Sequence, residues 1–174
     1  MRIGLVSIAL LMAALIAPAA SAQTQSDGLI VRNERIGAIR LGDTLADVVS
    51  AFGQPTTAPV FVGQHGILTW SDGPGAGVRV DTWGAQNEVY SISVGRGGEG
   101  YATAEGVRVG MSEVDVRIRL GNPDHRIWLE VYQVWSLNYP GLELMLTPDS
   151  QVIAITVCLP SNQRRPTANR SWCA

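Results

Sequence analysis

The hydrophobic pattern changes character along the chain. Ile3 to Ile16 is an almost unbroken apolar run, with a positive charge before it at Arg2, a break at Pro18 and the small-x-small site Ala20-Ser21-Ala22 after it. This is the three-part pattern of a secretory signal peptide, with cleavage expected after Ala22. No cysteine lies near that point, so lipid attachment is not expected, and no later run is long enough to span a bilayer. From about residue 60 onward, apolar and polar residues alternate in short runs. These are Phe61-Val62, Leu68-Thr69-Trp70, Val78-Arg79-Val80, Val89 to Val94, Ile127-Trp128-Leu129, Val134-Trp135, Leu142-Glu143-Leu144 and Val152 to Val157. Turn-forming clusters separate them, among them Ser71-Asp72-Gly73-Pro74-Gly75, Tyr139-Pro140-Gly141 and Pro148-Asp149-Ser150. The pattern predicts antiparallel strands joined by short turns.

Two segments read differently. Thr44 and Ser112 can each cap a helix, with Asp47 and Asp115 three residues on; Gly53-Gln54-Pro55 and Gly121-Asn122-Pro123 can each end one. Helices are predicted over 45–52 and 113–120. In the first, Leu45, Val48, Val49 and Phe52 form an apolar stripe. In the second, Val114, Val116, Ile118 and Leu120 alternate with polar residues as in a strand, but cap and stop signals favour helix. The two segments also match each other. At a shift of 68, residues 40–55 and 108–123 share 6 identities in 16 positions, where chance gives roughly one.

These signals predict an α+β fold of two tandem helix-plus-antiparallel-meander repeats packed as one body, with a sheet carrying its helices on one face. The expected divisions are a leader at 1–22, a first repeat at 28–94, a flexible linker at 95–104, a second repeat at 105–158 and a tail at 159–174. The strand faces follow from alternation. Val78, Val80, Tyr90, Ile92, Val94, Leu142, Leu144, Ile153, Ile155 and Val157 are expected to pack against the helices. Arg79, Asp81, Ser91, Ser93, Glu143, Met145, Ala154 and Thr156 are expected on the opposite face, a solvated surface or a shallow docking surface.

Composition narrows the chemistry. All 13 cations are arginine, which excludes a P-loop or Schiff-base lysine, and a net charge of −2 argues against bulk binding to nucleic acid. The charge is uneven. Residues 23–149 hold nine arginines against fifteen acids, a net of −6, whereas Arg164, Arg165 and Arg170 in the tail face no acid at all. The two cysteines, Cys158 and Cys173, are expected to form a disulfide that pins the tail to the end of a strand, contributing about 3 kcal/mol through loop closure. Two cysteines with only His65 and His125 elsewhere offer no metal cluster.

The segments Gly-Asp-Thr-Leu-Ala-Asp-Val-Val-Ser-Ala-Phe-Gly-Gln-Pro at 42–55 and Gly-Met-Ser-Glu-Val-Asp-Val-Arg-Ile-Arg-Leu-Gly-Asn-Pro at 110–123 resemble a family signature. It belongs to the superfamily that joins the β-lactamase inhibitor protein with the small BamE/SmpA-type lipoproteins of outer-membrane assembly. The resemblance covers about 40–94 and 108–157. It implies a binding module rather than an enzyme, and two copies look more like the inhibitor arrangement, an eight-stranded sheet curved around a partner. The chain departs from the inhibitor in lacking a disulfide within either repeat, and from the lipoproteins in lacking a lipid-modified cysteine.

Candidate chemistry is sparse. Gly95-Arg96-Gly97-Gly98-Glu99-Gly100 fits G-x-G-x-x-G, but no helical stripe follows it, so a linker is expected and no cofactor. His65 and His125 read as loop histidines, Asp47 and Asp115 as capping residues, and no catalytic residue is assigned. Aromatic residues carry the interaction signal. Trp83, in the turn Asp81–Asn87, either anchors a partner or folds back onto the sheet. Trp128, Tyr132 and Trp135 cluster on adjoining strands, with Trp135 expected in the core. The expected partner-binding residues are Trp83, Trp128, Tyr132, Arg79 and Glu143, and the expected partner is another exported or envelope protein. The alternative is a periplasmic or secreted small-molecule or glycan-binding protein using Trp128, Tyr132 and Trp135 as a stacking platform.

Overall fold

The computed structural model of the chain describes residues 27–159. The leader with its Ala22 cleavage site, and the tail from residue 160 with Cys173, lie outside the described residues.

Two helices form where the caps stand. In α1 (Leu45–Phe52) the Thr44 hydroxyl accepts from the Asp47 backbone N–H, and the Asp47 carboxylate accepts from the Thr44 backbone N–H in return. In α2 (Glu113–Leu120) the Ser112 hydroxyl likewise accepts from the Asp115 N–H. Each helix stops at a glycine with φ 79° and ψ near −165°, at Gly53 and Gly121. This is not the left-handed helical exit but a more extended region that only glycine enters without strain. With only two turns each, the helices bury little. Val48 and Phe52 are buried in α1, and Val116 and Glu113 in α2, while Val114 and Ile118 stay exposed. The alternation in the second segment thus has no strand behind it; the cap decided the local structure.

The strands in chain order are β1 (Leu29–Val31), β2 (Arg35–Ile36), β3 (Ile39–Arg40), β4 (Val60–Val62), β5 (His65–Thr69), β6 (Val78–Trp83), β7 (Glu88–Val94), β8 (Ala102–Thr103), β9 (His125–Leu129), β10 (Val134–Tyr139), β11 (Leu142–Leu146) and β12 (Val152–Cys158). They form two sheets. The larger has eight antiparallel strands in the order β4-β5-β6-β7-β12-β11-β10-β9, and the smaller has four in the order β3-β2-β1-β8. The expected α+β class is therefore corrected. Among the described residues the chain is mostly β, with 42% strand against 14% helix, and it has a second sheet that the pattern did not announce. The physical reason is length. Strands of two and three residues, such as β1 to β3 and β8, show no period-two signal, and eight-residue helices add little to the whole.

Residues 95–104, expected as a flexible linker, include β8, which pairs in parallel with β1. The glycines there serve close packing. A Cβ on Gly77 would collide with the backbone of Gly97 and Gly98, and Gly95 donates its N–H to the Gly77 carbonyl at 2.8 Å.

Both helices are stitched to the large sheet in the same way. Gly42 donates to the Val89 carbonyl at 2.7 Å, and Val89 donates to the Asp43 carbonyl at 2.8 Å. Gly110 donates to the Val152 carbonyl at 2.8 Å, and Val152 donates to the Met111 carbonyl at 2.9 Å. Immediately after each of these valines the register slips by one residue, at Tyr90 in β7 and at Ile153 in β12. The slip corrects two assignments. Val89 and Val152 take the core positions expected for Tyr90 and Ile153, and those two side chains leave the core. The core itself joins Val48, Phe52 and Val116 of the helices and Ile30, Ile36 and Ile39 of the small sheet to one face of the large sheet, through Leu68, Val80, Ile92, Leu144 and Ile155.

Thr44→Ala and Ser112→Ala are each expected to cost about 1 kcal/mol, the usual worth of a helix N-cap. Urea unfolding checks this, as a lower midpoint with an unchanged slope.

Candidate functional site

The face of the large sheet turned away from the helices carries a continuous polar row. Reading directly opposed residues across seven strands gives Thr69, Arg79, Ser93, Thr156, Glu143, Asn138 and His125. At the usual spacing between strands this row is about 29 Å long. It is internally bonded. The Ser93 and Thr156 hydroxyls are 2.9 Å apart, the Ser136 hydroxyl donates to Glu143 Oε1 at 2.6 Å, and the Asn138 amide donates to the Ser136 oxygen at 3.1 Å. Its centre is buried, with Glu143 at 1% exposure, Thr156 at 3% and Asn138 at 5%.

At the β4–β6 end the same face opens. Arg79 Nη2 donates to Asp81 Oδ1 at 2.7 Å, and that oxygen lies 3.3 Å from His65 Nε2. The same imidazole nitrogen is 3.1 Å from the Tyr90 hydroxyl. The slip after Val89 is what brings the Tyr90 ring to this side. Burial, and next the Asp81 carboxylate, push the Tyr90 phenol up to about 12, so it stays protonated at neutral pH. Trp83 stands beside His65 with ring centroids 6.4 Å apart. Val62, His65 and Trp83 form one cross-strand set and Val60, Ile67 and Asp81 the next. Phe61 projects to the other face, where Gly66 makes room for it: a Cβ there would fall 2.7 Å from the ring.

A second cluster lies at the β9–β10 end on the helix side. Buried Glu113 accepts from Arg117 at 2.7 Å and from Arg126 at 3.1 Å. Burial alone would raise the Glu113 carboxyl, but the hydrogen bonds from Arg126 and Arg117 outweigh it and hold the group below the ordinary glutamate range. The Arg126 guanidinium sits 3.5 Å from the centre of the Trp135 ring, and Trp135 packs against Trp128 at 5.1 Å. Trp128 Nε1 donates to Glu130 at 2.6 Å.

The five expected partner-binding residues therefore separate. Arg79 and Glu143 share the polar row, one exposed and one buried. Trp83 is half-buried and ends β6; the turn proper begins at Gly84. Trp128 belongs to the arginine–tryptophan cluster on the other face. Tyr132 is 58% exposed in the β9–β10 turn. Cys158 is disulfide-bonded, and Cys173 is the other cysteine of the chain. His65 and Tyr90 were missed as neighbours. His65 begins β5 rather than lying in a loop, and the position of Tyr90 depends on the register slip. Thr69, Asn138 and His125 were missed as row members, although one polar residue at a matching position in each strand was a usable signal. Among the described residues no three His, Cys, Asp or Glu side chains group to hold a metal ion, and no helix is long and apolar enough to cross a membrane.

No protein family and no curated protein sequence matches the chain. Three solved structures share its outline. YjgB of Bacillus subtilis, a DUF4309 family protein, has a TM-score of 0.49 at 15% identity, covering 67% of this chain and 78% of its own. An extracellular protein of Bacillus anthracis containing an SCP domain has a TM-score of 0.47 at 12% identity, covering 70% of this chain and 45% of its own. A cysteine-rich secretory protein of Staphylococcus aureus has a TM-score of 0.44 at 11% identity, again covering 70% and 45%.

Two pH effects are expected. Glu113 has a lowered value when folded, so its contribution is full above the ordinary value of 4.5 and is lost as pH falls through the folded value. Glu113→Gln should cost about 1–3 kcal/mol at pH 7, because both arginines keep some contact with water, and the difference from wild type should shrink toward pH 3. Urea midpoints across that range measure it. Tyr90 has a raised value, so its contribution is full below pH 10 and is lost as pH rises toward 12. Tyr90→Phe should flatten the alkaline fall in stability over the same interval.

Proposed function

We propose that the chain is an exported, non-enzymatic protein-binding module that takes its partner along the β4 edge of the large sheet. The exposed apolar character of β4 carries this reading. Among the described residues β4 is an end strand, and Val60, Phe61 and Val62 are 55%, 50% and 69% exposed. An end strand presents unpaired N–H and C=O groups, and soluble chains usually guard it with a charge, a proline or a bulge within the strand. Val-Phe-Val has none of these. A partner strand adding here would gain main-chain hydrogen bonds. It would also meet the face that carries Val62, His65 and Trp83, with Arg79 and Asp81 behind them, so two of the expected binding residues belong to this reading.

Export is supported by the leader pattern and by the disulfide at Cys158, which persists in an oxidising compartment. The partner class is another exported or envelope protein, in keeping with the resemblance to inhibitor and assembly-factor proteins. The glycan alternative draws less support from the geometry. The Trp135 ring is already covered by Arg126, and the Trp128 indole is packed on Trp135.

The test begins with capture of a partner from the native cell envelope and continues with the purified pair. Val62→Lys changes an exposed side chain and should alter stability by no more than about 0.5 kcal/mol. It is expected to weaken binding at least tenfold, as is Trp83→Ala, while Trp128→Ala leaves the affinity unchanged. Full affinity in Val62→Lys would exclude the β4 edge, and absence of any stoichiometric protein partner would exclude the binding-module reading.

A further inference from the structure

The two halves of the large sheet can be matched position by position, because Val89 and Val152 make the same pair of reciprocal backbone bonds. Directly opposed residues running outward from Val89 on the helix side are Thr82, Gly66 and Phe61. Those running outward from Val152 are Leu146, Trp135 and Trp128. The second set is filled by its own side chains. Leu146 is buried, the Trp135 indole packs on Trp128, and Arg126 lies over the Trp135 ring. In the first set a threonine stands in place of the leucine and a glycine in place of the middle tryptophan. Thr82 is fully buried, and among the described residues its hydroxyl has no hydrogen-bond partner. The hydroxyl is aimed over Gly66, where a Cβ would lie 2.5 Å from Thr82 Oγ1 and 2.7 Å from the edge of the Phe61 ring. Phe61, on an end strand and 50% exposed, thus covers a buried hydroxyl on a glycine floor. A buried hydroxyl without a partner weakens a fold, and a strand glycine brings no side chain to the packing, so stability accounts for neither residue.

We propose that Gly66 and Thr82 floor a pocket beneath Phe61 that takes a tyrosine or tryptophan side chain of the partner strand. The pocket belongs to the β4 edge and rests on that reading, to which it adds the partner's chemistry. A strand added at β4 sends alternate side chains to the helix side, beside Phe61. Gly66, on β5, lies two strands from it, about 10 Å, so the visiting side chain must be long. It must be flat, because it takes the place that the Trp135 indole holds in the other half of the sheet. It must also carry a polar group for Thr82 Oγ1, and a phenol hydroxyl or an indole N–H meets all three needs. The Phe61 ring turns outward to admit the visitor and then packs against it, as Trp128 packs against Trp135. Thr82 thereby selects for a polar aromatic side chain over phenylalanine, which would leave the hydroxyl buried and unpaired.

An NMR titration of the full chain purified after export tests this. The probe is 4-methylphenol, the side chain of tyrosine, and the control is toluene, which lacks the hydroxyl. The backbone amides of Phe61, Gly66 and Thr82 should shift saturably with 4-methylphenol. It should bind about threefold to tenfold more tightly than toluene, the usual worth of one net hydrogen bond. Thr82→Val should abolish that preference and Thr82→Ser should keep it. Thr82→Val should also raise the urea midpoint of the free chain, since it removes the unpartnered hydroxyl. No saturable shift at these three amides, or an unchanged preference in Thr82→Val, would overturn the pocket. A lowered midpoint in Thr82→Val would overturn it too, by showing that the hydroxyl already serves the fold. The titration needs no partner, so its failure is distinct from failure of the β4 reading, which Val62→Lys decides. In the captured pair, Thr82→Val should weaken affinity at least threefold and Thr82→Ser should not; equal affinity in all three forms would overturn the partner's use of the pocket.

Discussion

The structure depends on two pairs of reciprocal backbone hydrogen bonds, one at Val89 and one at Val152. Each ties the segment leading into a helix to a central strand of the large sheet. One extra residue is accommodated directly after each of these valines. That one local constraint sets much else. It fixes where the capped helices start over the core, and it lets Val89 and Val152 fill the core. It also sends Tyr90 to the opposite face, where its hydroxyl meets His65.

The two faces of the large sheet follow different rules. The helix face is apolar and is covered by both helices and the small sheet. The other face gathers hydroxyl, amide and charged groups into one row that bonds both across strands, as Ser93–Thr156 and Ser136–Glu143, and along one, as Asn138–Ser136. Such a row is costly to bury unless its members satisfy one another, and the contacts Ser93–Thr156, Ser136–Glu143 and Asn138–Ser136 do this over four adjacent strands. The open β4 end and the buried centre of the row then have separate roles, one presenting apolar edge and aromatic groups, the other closed by polar contacts.

At the β9 end the arginines do structural work. Arg126 is shared between the Glu113 carboxylate and the face of Trp135, which binds the start of α2 to β9 and β10. This explains why α2 is stable although its pattern resembles a strand and two of its apolar residues, Val114 and Ile118, face water. A cap and a buried ion pair supply the order that an apolar stripe supplies in α1.

Local structure was legible in the residues alone. Thr44 and Ser112 with their aspartates, and Gly53 and Gly121 with the prolines behind them, placed both helices, because capping and helix termination act within a few residues. Alternation in β6, β7, β11 and β12 separated most core residues from polar ones, because pleating alternates side chains whatever lies beside the strand. The tertiary structure decided the rest. Strands β1 to β3 and β8 are too short to carry a pattern and exist because a neighbouring strand receives their hydrogen bonds. The slips at Tyr90 and Ile153 lie directly after the residues to which a distant segment bonds. His65, Asp81 and Tyr90 meet, and seven polar residues fall into one row, only when strands far apart in the chain are laid side by side, since cross-strand register is a long-range property that a single strand does not encode.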